Sequence, residues 1–407
     1  MATERQALLI APTLPARTGN GLAIRLGVFT EALSRVCRTQ VVCIPLFGPP
    51  ADEGWLASLG ASVSLIDPAG REDTHFRLLA RLADPAARLA AFRRYGKTSL
   101  AARLSTPVLA ELRSTTGDRP YDLVHVGRSY MMEAALAVAS ASHRTVDLDE
   151  DDAWSWRSLA AIATTPEAAD WARAEADATD DLLPRLLPRF DASFISSPVE
   201  GRRLVRRLNI ASSAVVANPA PPSINGERAD DAHSILFVGS YGYAPNLDGL
   251  DWFLADIWPR IRQRRSDLRF KIVGRDLPAR FLAVDGSDGI EAIGPVDSLE
   301  PFYRSAALVV APLRAGGGTR IKLIEAAAFG VPIVATSVAA RGLAFNSTRY
   351  IWRADTAVDF SDAVLAAMGD PAERTRRAER ARQSARHHDR AQLVERLACR
   401  FAELLAT

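Results

Sequence analysis

The residues best suited to chemistry form a glycine-rich loop with positive charge behind it. Three glycines stand in a row: Gly316, Gly317 and Gly318. They follow the apolar run Leu308–Leu313 and precede a helical segment that ends at Gly330, while Arg320 and Lys322 add positive charge at its first turn. Such a loop admits a ligand close to the backbone and directs N–H groups and the helix dipole at an anion. The pattern predicts a diphosphate site with Thr319 as the helix cap, although a tight turn alone would also explain the glycines.

Glu325 lies on the same helical segment, next to the apolar run Ala326–Phe329. A carboxylate about two turns behind a phosphate loop could accept hydrogen bonds from both ribose hydroxyls of a nucleotide. Two other interpretations stay open, because a solvated helix glutamate or an ion-pair partner of Arg320 or Lys322 would have the same spacing.

Further candidates lie in the first half of the chain. A loop before a helical segment could bring backbone amides close to a ligand, or simply be a flexible turn: Gly19, Asn20 and Gly21. His125 ends an apolar run, so its imidazole is a candidate catalytic group, with a buried core histidine as the alternative. The acidic residues Asp147 and Asp149–Asp152 could bind a metal ion. Carboxylates at a helix start explain most of this run, and we expect no metal.

The elements that must position these residues alternate between short apolar runs and helical periodicity, which is typical of α/β folds with parallel sheets. In the first half the predicted strands are Ala7–Ala11, Gln40–Pro45, Ser62–Ile66, Leu123–Val126, Thr145–Leu148, Ala192–Ile195 and Ala214–Ala217. In the second half they are Ile235–Val238, Arg269–Val273, Gly289–Ile293, Leu308–Leu313 and Ile333–Thr336. The predicted helices are Leu22–Val36, Arg77–Tyr95, Ser99–Arg113, Pro166–Leu186, Leu247–Ile257 (stopped by Trp258-Pro259) and Pro371–Thr407.

Length and composition place the chain among ordinary globular proteins. Its 407 residues are 48% hydrophobic and 24% charged, which excludes a disordered, collagen-like or disulfide-scaffold protein and provides for two to three domains of ~150 residues. The net charge of +2 gives no reason to expect a nucleic-acid partner. An odd number of cysteines, a polar start at 1–6 and the lack of any unbroken apolar stretch of ~18 residues predict a cytoplasmic location.

A change in composition separates the two halves. Residues 218–231 (NPAPPSINGERADD) are rich in proline and glycine and have no periodicity. We therefore expect a first domain over 1–222, a linker at 223–231, a second domain over 232–385 and a C-terminal helix over 386–407 that could return to the first domain. The basic stretch Arg374–Arg390 and the turn His387-His388-Asp389 are expected to be solvated, with attachment of that stretch to an anionic membrane surface as the weaker alternative.

The segment Leu308–Thr336 (LVVAPLRAGGGTRIKLIEAAAFGVPIVAT) resembles the signature of glycosyltransferase family 4, a family of retaining enzymes with the GT-B fold. Four other segments look like parts of that family's donor domain: Phe237–Phe253, Ile272–Arg275, Gly294–Val296 and Pro301–Ala306. Pro12–Arg25 is similar to the family's amino-terminal glycine loop, and Asp122–Arg128 and Thr145–Asp152 are similar to segments of its exopolysaccharide-type branch. The resemblance covers nearly the whole chain and is densest from 235 to 343.

The resemblance implies an α/β protein of the GT-B type, in which two Rossmann-like domains with parallel sheets face a central cleft. It also implies that the second domain binds a nucleotide-sugar donor, UDP-sugar or GDP-sugar, without a cofactor. Glu325 matches the second glutamate of the family's E-x7-E motif, which holds the ribose. Gly317 stands where the first glutamate would touch the donor sugar.

The resemblance assigns roles to further residues. The diphosphate would meet backbone amides of Gly318, Thr319 and Arg320. Gly239 and Ser240 stand where many members carry an arginine and a lysine after the first donor-domain strand, so Arg320 or Lys322 would supply the missing charge and act in catalysis. Some relatives place a functional histidine at the position of Gly127, two residues beyond His125.

These observations predict a retaining glycosyltransferase that moves a sugar from a nucleotide-sugar to an unspecified acceptor hydroxyl. Two alternatives remain: a GT-B nucleotide-sugar hydrolase or epimerase, and a non-catalytic sugar-nucleotide-binding protein, which the glycine at 317 favours. An NAD-dependent dehydrogenase is not favoured, because neither Gly19-x-Gly21 nor Gly239-x-x-Gly242 completes G-x-G-x-x-G. Tyr241 and Tyr243 could stack on a nucleobase or pack in the core.

Overall fold

Each half of the chain folds around its own parallel β-sheet in the computed structural model, which describes residues 5–46, 54–210, 213–221 and 231–407. Two compact units result. The first contains Met1–Pro219 together with Arg390–Thr407, and the second contains Ala220–Asp389. The greater part of the predicted linker lies outside the described residues.

The first unit contains a seven-stranded parallel sheet in the order β3-β2-β1-β4-β5-β6-β7. Its strands are β1 Gln6–Ala11, β2 Arg38–Cys43, β3 Ser62–Leu65, β4 Tyr121–Gly127, β5 Ala141–Asp149, β6 Ala192–Ile195 and β7 Ala214–Val215. Apolar residues fill β1 because both faces of a central parallel strand are covered by helices. In the register of the sheet, Leu9 lies opposite Val41 on β2 and His125 on β4.

Helices cover this sheet and form separate apolar cores. They are α1 Gly21–Ser34, α2 Gly54–Ser58, α3 Thr74–Arg81, α4 Pro85–Tyr95, α5 Thr106–Thr116, α6 Met132–Ala137, α7 Asp152–Ala161, α8 Pro166–Leu186 and α9 Pro198–Leu208. The predicted single helix Arg77–Tyr95 is wrong, because Asp84 accepts hydrogen bonds from two backbone N–H groups and starts α4 with Pro85 in its first turn. The helix predicted at Ser99–Arg113 begins only at Thr106 for the same reason, a proline in the first turn.

The second unit contains a six-stranded parallel sheet in the order β10-β9-β8-β11-β12-β13. Its strands are β8 Asp231–Val238, β9 Arg269–Val273, β10 Ile290–Gly294, β11 Ala306–Ala311, β12 Ile333–Ala335 and β13 Trp352–Arg353. β11 is buried along its whole length between β8 and β12. The short strand β13 carries no apolar run and is not recognisable in the sequence.

The helices of the second unit, with one turn of π-helix, enclose a single apolar core. They are α10 Ala244–Trp252, α11 Trp258–Arg264, α12 Ala279–Leu282, α13 Glu300–Ser305, α14 Ile321–Ala328, α15 Ser337–Ala340, α16 Ala357–Gly369 and α17 Pro371–Ala385. The prediction that Trp258-Pro259 stops a helix is wrong. A π-helical turn at Phe253–Ile257 leads into α11, and Pro259 lies in the first turn of that helix.

The chain returns to the first unit at its C-terminal helix, α18 Arg390–Leu404. Leu397 and Phe401 pack with Phe29 of α1 in one buried cluster, and Arg390 forms an ion pair with Glu31. This burial explains why α18 belongs with the sheet of the first unit.

The structure moves two predicted boundaries. The first unit ends at Pro219 rather than 222, because the Ala220 N–H donates to the His388 carbonyl of the second unit. The C-terminal helix starts at Arg390 rather than 386, after a separate 3-10 turn.

The basic stretch Arg374–Arg390 is not uniformly solvated. Arg374, Arg390 and His388 are all at least nine-tenths buried, and the ring of His388 packs edge-on against Phe345. The turn expected to be solvated is corrected at one position only, since His388 is buried whereas His387 and Asp389 are exposed. Among the described residues, no helix combines the length and apolar character needed to cross a bilayer.

Truncation of Phe401 tests the role of α18. We expect Phe401→Ala to lower the free energy of unfolding by about 3–5 kcal/mol, because it leaves a cavity in a fully buried aromatic cluster. Urea denaturation followed by circular dichroism measures this change. The control Glu403→Ala, at an exposed position of the same helix, should change stability by less than about 0.5 kcal/mol. Equal effects of the two substitutions would contradict the packing.

Candidate functional site

The strand order of the second sheet determines where a ligand can bind. The chain moves outward from β8 to β10 and then returns to β11, which lies directly beside β8. In open α/β sheets, ligands bind outside the carboxyl ends of the strands at this reversal of strand order. β8 ends at Val238, just before Gly239 and Ser240, and β11 ends at Ala311, just before the glycine loop. Two segments that were predicted to bind the same ligand therefore meet at one edge.

The glycine loop adopts backbone conformations that side chains rarely allow. Gly316 has φ +107° and Gly318 has φ +69°, both in the region that favours glycine. A Cβ atom on Gly316 would lie 2.9 Å from the Tyr243 hydroxyl oxygen. The loop leads directly into α14, and the first helical turn thus faces the edge where β8 and β11 end. This arrangement suits an anion, because the N-terminus of a helix carries partial positive charge.

Arg320 supports the glycine loop from inside. The prediction of Thr319 as helix cap is wrong, since Arg320 occupies the cap position and its side chain makes no capping hydrogen bond. Its guanidinium folds back and donates to the carbonyls of Gly317 and Gly318. Arg320 is 8% exposed. In this structure the Arg320 side chain therefore braces the loop.

The amino group of Lys322 lies at the start of α14 and packs against residues of α10 and of β8. Its Nζ donates to Asn246 Oδ1 over 2.7 Å and lies 4.5 Å from the centroid of the Phe237 ring. Burial, with a smaller contribution from the neighbouring Arg320 charge, lowers the pKa of Lys322 to about 7. A nearby anion would favour the protonated, charged form of a lysine with this pKa.

Asn246 connects the two loops of the site, and the sequence analysis missed it. Its Nδ2 donates to the Ser240 carbonyl over 2.8 Å, while its Oδ1 accepts from Lys322. A Cβ atom on Gly239 would come within 3.0 Å of the Asn246 amide, so the glycine leaves room for this side chain. The available signal was a polar residue in the first turn of α10, a few residues after a strand and two glycines.

Glu325 lies one turn beyond Lys322 on α14 and is held by a buried tyrosine. The Tyr303 hydroxyl donates to Glu325 Oε2 over 2.7 Å, and the Tyr303 ring stacks on Phe329. Burial raises the pKa of Glu325 to about 7, although the Tyr303 hydroxyl and the Lys322 charge act in the opposite direction. Within the described chain Glu325 forms no salt bridge, so neither the solvated nor the ion-pair interpretation describes it. Tyr303 was also missed, because a tyrosine on a separate helix gives no spacing signal.

The spacing of these two groups matches two parts of one ligand. Three residues along α14 correspond to a rise of ~4.5 Å, with both side chains on the same side of the helix. The end with Lys322 and the helix N-terminus attracts phosphates, while the Glu325 carboxylate accepts hydrogen bonds from hydroxyl groups. A nucleoside diphosphate carries both features in one molecule.

His125 is not at a ligand-binding surface. It is completely buried, its Nδ1 lies 2.8 Å from the Thr145 hydroxyl, and its ring stacks on Phe29 at 4.4 Å. Burial, reinforced by the Arg25 charge, lowers the pKa of His125 to about 3. The expectation of a catalytic His125 is therefore wrong, because a neutral imidazole inside the core has no access to a substrate.

The acidic run at the end of β5 is neutralised by arginines. Arg25 contacts both oxygens of the buried Asp147 at 2.7 Å. Arg128, which follows β4, binds three more carboxylates: Asp149, Glu150 and Asp152. Asp151 accepts hydrogen bonds from Arg203 and Arg207 of α9. Across the part of the chain that the structure describes, no cluster of His, Cys, Asp and Glu side chains is arranged for a metal ion.

The remaining candidates divide between structure and surface. Asn20 caps α1, because its side chain accepts a hydrogen bond from the Ala23 N–H. Gly19 and Gly21 flank it where the loop that follows β1 enters α1. β1 lies beside β4, where the strand order of the first sheet reverses. Tyr241 packs in the core with its hydroxyl donating to the Phe237 carbonyl, whereas Tyr243 remains 41% exposed beside the glycine loop.

Comparison with known proteins adds independent information. A sequence model of the family described as "Glycosyl transferases group 1" matches residues 232–370. An uncharacterized 44.6 kDa protein in the cps region of Klebsiella pneumoniae is 25% identical over 145 residues, which are 33% of this chain and 37% of that protein. The similarity thus spans about a third of that relative's length.

Solved structures resemble the whole chain. Sucrose-phosphate synthase from Thermosynechococcus elongatus has a TM-score of 0.66 at 13% identity, with 99% of this chain and 100% of that chain covered. Anabaena HepE in complex with UDP-glucose has a TM-score of 0.64 at 11% identity, covering 98% and 99%. A trehalose-6-phosphate protein from E. coli bound with UDP-2-fluoro glucose has a TM-score of 0.62 at 13% identity, covering 98% and 99%.

The predicted fold class is confirmed: the chain is an α/β protein with two Rossmann-like domains built on parallel sheets, and its structural neighbours are GT-B glycosyltransferases. The family match over residues 232–370 covers the described site and supports a glycosyltransferase.

The raised pKa of Glu325 predicts a pH-dependent stability effect. Its folded-state pKa of about 7 exceeds the ordinary 4.5, so the stability it contributes is complete below pH 4.5 and is lost as the pH rises to 7. Glu325→Gln stays neutral throughout. We expect the free energy of unfolding of this variant, relative to the wild type, to rise by about 1–3 kcal/mol between pH 4.5 and pH 8. Urea titrations at both pH values measure it. Parallel curves for the two proteins would refute the burial of the charge; Glu403→Gln is the exposed control.

Proposed function

We propose that this chain is a retaining glycosyltransferase that takes a sugar from a UDP-sugar or GDP-sugar donor. The observation that carries the proposal is the arrangement of Lys322 and Glu325 on one side of α14, directly behind the glycine loop at the reversal of strand order. The match to the glycosyl transferases group 1 family over the same residues supports it. HepE, which has a similar fold, binds UDP-glucose, and this favours a uridine nucleotide.

The donor is held by its nucleoside diphosphate. The Glu325 carboxylate accepts hydrogen bonds from the ribose hydroxyls, and the backbone of Gly317, Gly318 and Thr319 approaches the diphosphate. Lys322 adds a positive charge, which Asn246 keeps directed to the loop after β8. This gives Gly239 and Ser240 a role as the opposite wall of the diphosphate site.

In the transfer step the bond between the sugar anomeric carbon and the diphosphate oxygen breaks, and a bond from the same carbon to the acceptor oxygen forms on the same face. The acceptor proton passes to the leaving diphosphate. The protein contributes orientation and stabilisation of the negative charge that develops on that diphosphate. Lys322 and the N-terminus of α14 are the groups placed for this task. No cofactor is needed for this chemistry.

A non-catalytic sugar-nucleotide-binding protein is the second candidate, because Gly317 provides no side chain where the family resemblance expects a glutamate on the donor sugar. A product assay separates the possibilities. Transfer to an acceptor with retained anomeric configuration, read by NMR, establishes the transferase. Release of free or isomerised sugar without an acceptor indicates a hydrolase or epimerase, and binding without turnover indicates a sensor. We also propose a cytoplasmic location, which the odd number of cysteines supports.

Loss of the Glu325 carboxylate tests the ribose contact. We expect UDP to raise the melting temperature of the wild type more than ADP does, since bound ligand stabilises the folded state. Glu325→Ala should weaken UDP binding about 10- to 100-fold, the range for a lost charged hydrogen bond. Isothermal titration calorimetry measures the affinity. The control Glu300→Ala removes an exposed carboxylate of α13 and should leave it unchanged. Unaltered affinity in Glu325→Ala would remove the ribose role.

The lowered pKa of Lys322 predicts how donor binding depends on pH. A bound diphosphate favours the ammonium form, so the Lys322 contribution to UDP affinity should fall toward tenfold per pH unit above the unliganded pKa of about 7. Arginine stays charged throughout, and Lys322→Arg should therefore abolish this decline between pH 7 and 9. The measurement is UDP affinity across that range. An identical decline in both proteins would assign the titration to another group.

A further inference from the structure

The hairpin formed by α3 and α4 exposes more apolar surface than its fold requires. Tyr95 is 56% exposed and Leu78 is 55% exposed, the two highest values among the large hydrophobic side chains in the described chain, and Leu82 is 37% exposed. We call the outer surface formed by Leu78, Leu82, Tyr95, Arg81 and Arg94 the α3–α4 face. Three large apolar groups on one short hairpin are more than the scattered exposure that is ordinary for a protein surface.

The inner side of the hairpin already supplies its attachment. Leu79, Leu89 and Phe92 are buried against α8, in a cluster that also contains Ala174 and Ala178. The exposed leucines are therefore not needed to hold α3 and α4 in place. Leu78 and Leu82 are four residues apart and form one ridge along α3. Tyr95 extends this ridge, because its ring lies 3.7 Å from that of His75 at the start of the same helix.

Positive charge surrounds the ridge. Residues 74–97 contain six basic residues and one acidic residue in a chain whose net charge is only +2. Arg77, Arg93 and Lys97 have acidic partners. Arg81 and Arg94 are exposed and form no salt bridge with any described residue. The α3–α4 face thus combines an apolar ridge with cationic groups whose charge is not neutralised by the protein.

The neighbouring helix α8 is acidic, and its carboxylates pair with arginines around it. Asp177 and Asp180, one turn apart on that helix, pair with arginines of three other elements: Arg93 of α4, Arg157 of α7 and Arg207 of α9. Beyond Arg207, α9 presents two further exposed arginines that line an open surface pocket with Val199: Arg202 and Arg206. The cationic groups next to the ridge are therefore Arg81 and Arg94 of the hairpin itself.

We propose that the α3–α4 face binds the surface of an anionic lipid bilayer. Leu78, Leu82 and Tyr95 enter the boundary between headgroups and acyl chains, and Arg81 and Arg94 contact lipid phosphates. An acidic peptide would satisfy the arginines but would leave the protruding leucines in water. This inference concerns the first unit alone and does not depend on the proposed transferase reaction. It also replaces the stretch Arg374–Arg390 as the membrane-binding candidate, because Arg376, Arg377 and Arg382 of that stretch pair with glutamates of the same helix.

Vesicle flotation of the full chain tests the proposal. We expect the wild type to float with vesicles of about 70% phosphatidylcholine and about 30% phosphatidylglycerol. It should remain unbound with vesicles of phosphatidylcholine alone. About 0.5 M NaCl should reduce the bound fraction, since salt screens the arginines. A wild type that does not bind the anionic vesicles would overturn the proposal.

Two variants separate the apolar and cationic contributions. Leu78→Ser with Leu82→Ser, and Arg81→Glu with Arg94→Glu, should each reduce vesicle affinity at least about tenfold. The matched control Val358→Ser with Arg264→Glu changes an exposed valine and an exposed arginine of the second unit and should bind like the wild type. All these positions are exposed, so unchanged melting temperatures should accompany the effects. Wild-type binding by both hairpin variants would disprove the assignment.

A probe on the ridge gives a second, direct measurement. Leu78→Cys in a Cys399→Ser background, labelled with a polarity-sensitive fluorophore, should shift its emission to the blue when anionic vesicles are added, because the probe enters an apolar layer. No shift at saturating vesicles would contradict insertion of the ridge. If sedimentation instead shows a dimer that Leu78→Ser dissociates, while vesicle binding persists, the face is a contact between copies of this chain and the proposal fails.

Discussion

The partial burial of two oppositely charged residues one helical turn apart on α14 is the constraint on which the site depends. Lys322 and Glu325 each sit where desolvation opposes the ionised form, so each has a pKa near 7 rather than its ordinary value. Neither is neutralised by a salt bridge, and each is positioned by a neutral partner, Asn246 or Tyr303. The unliganded protein therefore carries an electrostatic cost, which the proposed nucleoside diphosphate, with phosphates at one end and hydroxyls at the other, would relieve. Pre-arranged groups of this kind lose little further entropy on binding.

The segment from the glycine loop to β12 could be predicted because every local signal agreed there. Consecutive glycines, an apolar helix and a glycine–proline stop each require one conformation, and the structure has a helix at Ile321–Ala328 with Gly330 at φ +67°. The partners of the charged residues could not be predicted. Asn246 and Tyr303 reach the site from other helices, and such contacts depend on tertiary packing rather than on spacing. His125 shows the opposite error, since the end of a strand does not reveal which way a buried ring faces.

Proline was the least reliable signal along the chain. At Pro85, Pro107 and Pro259 the sequence suggested continuity or a stop, whereas the structure uses each proline in the first turn of a helix. The missing N–H of proline costs nothing at that position, so the same residue can end one helix and begin the next. Whether a proline ends a helix or begins one depends on the residues that precede the proline. Asp84 can cap the new helix, while the π-helical turn before Trp258 avoids the need for a cap.

The return of α18 to the first sheet couples the two halves of the molecule during synthesis. The buried cluster around Phe29 includes Phe401, and the chain between them contains the entire second unit. As the polypeptide leaves the ribosome, the first sheet can assemble early, but one side of α1 stays uncovered until the last helix emerges. The second unit thus has the opportunity to fold before the first is finished, and a chaperone that recognises exposed aromatic surface would have its substrate in that interval.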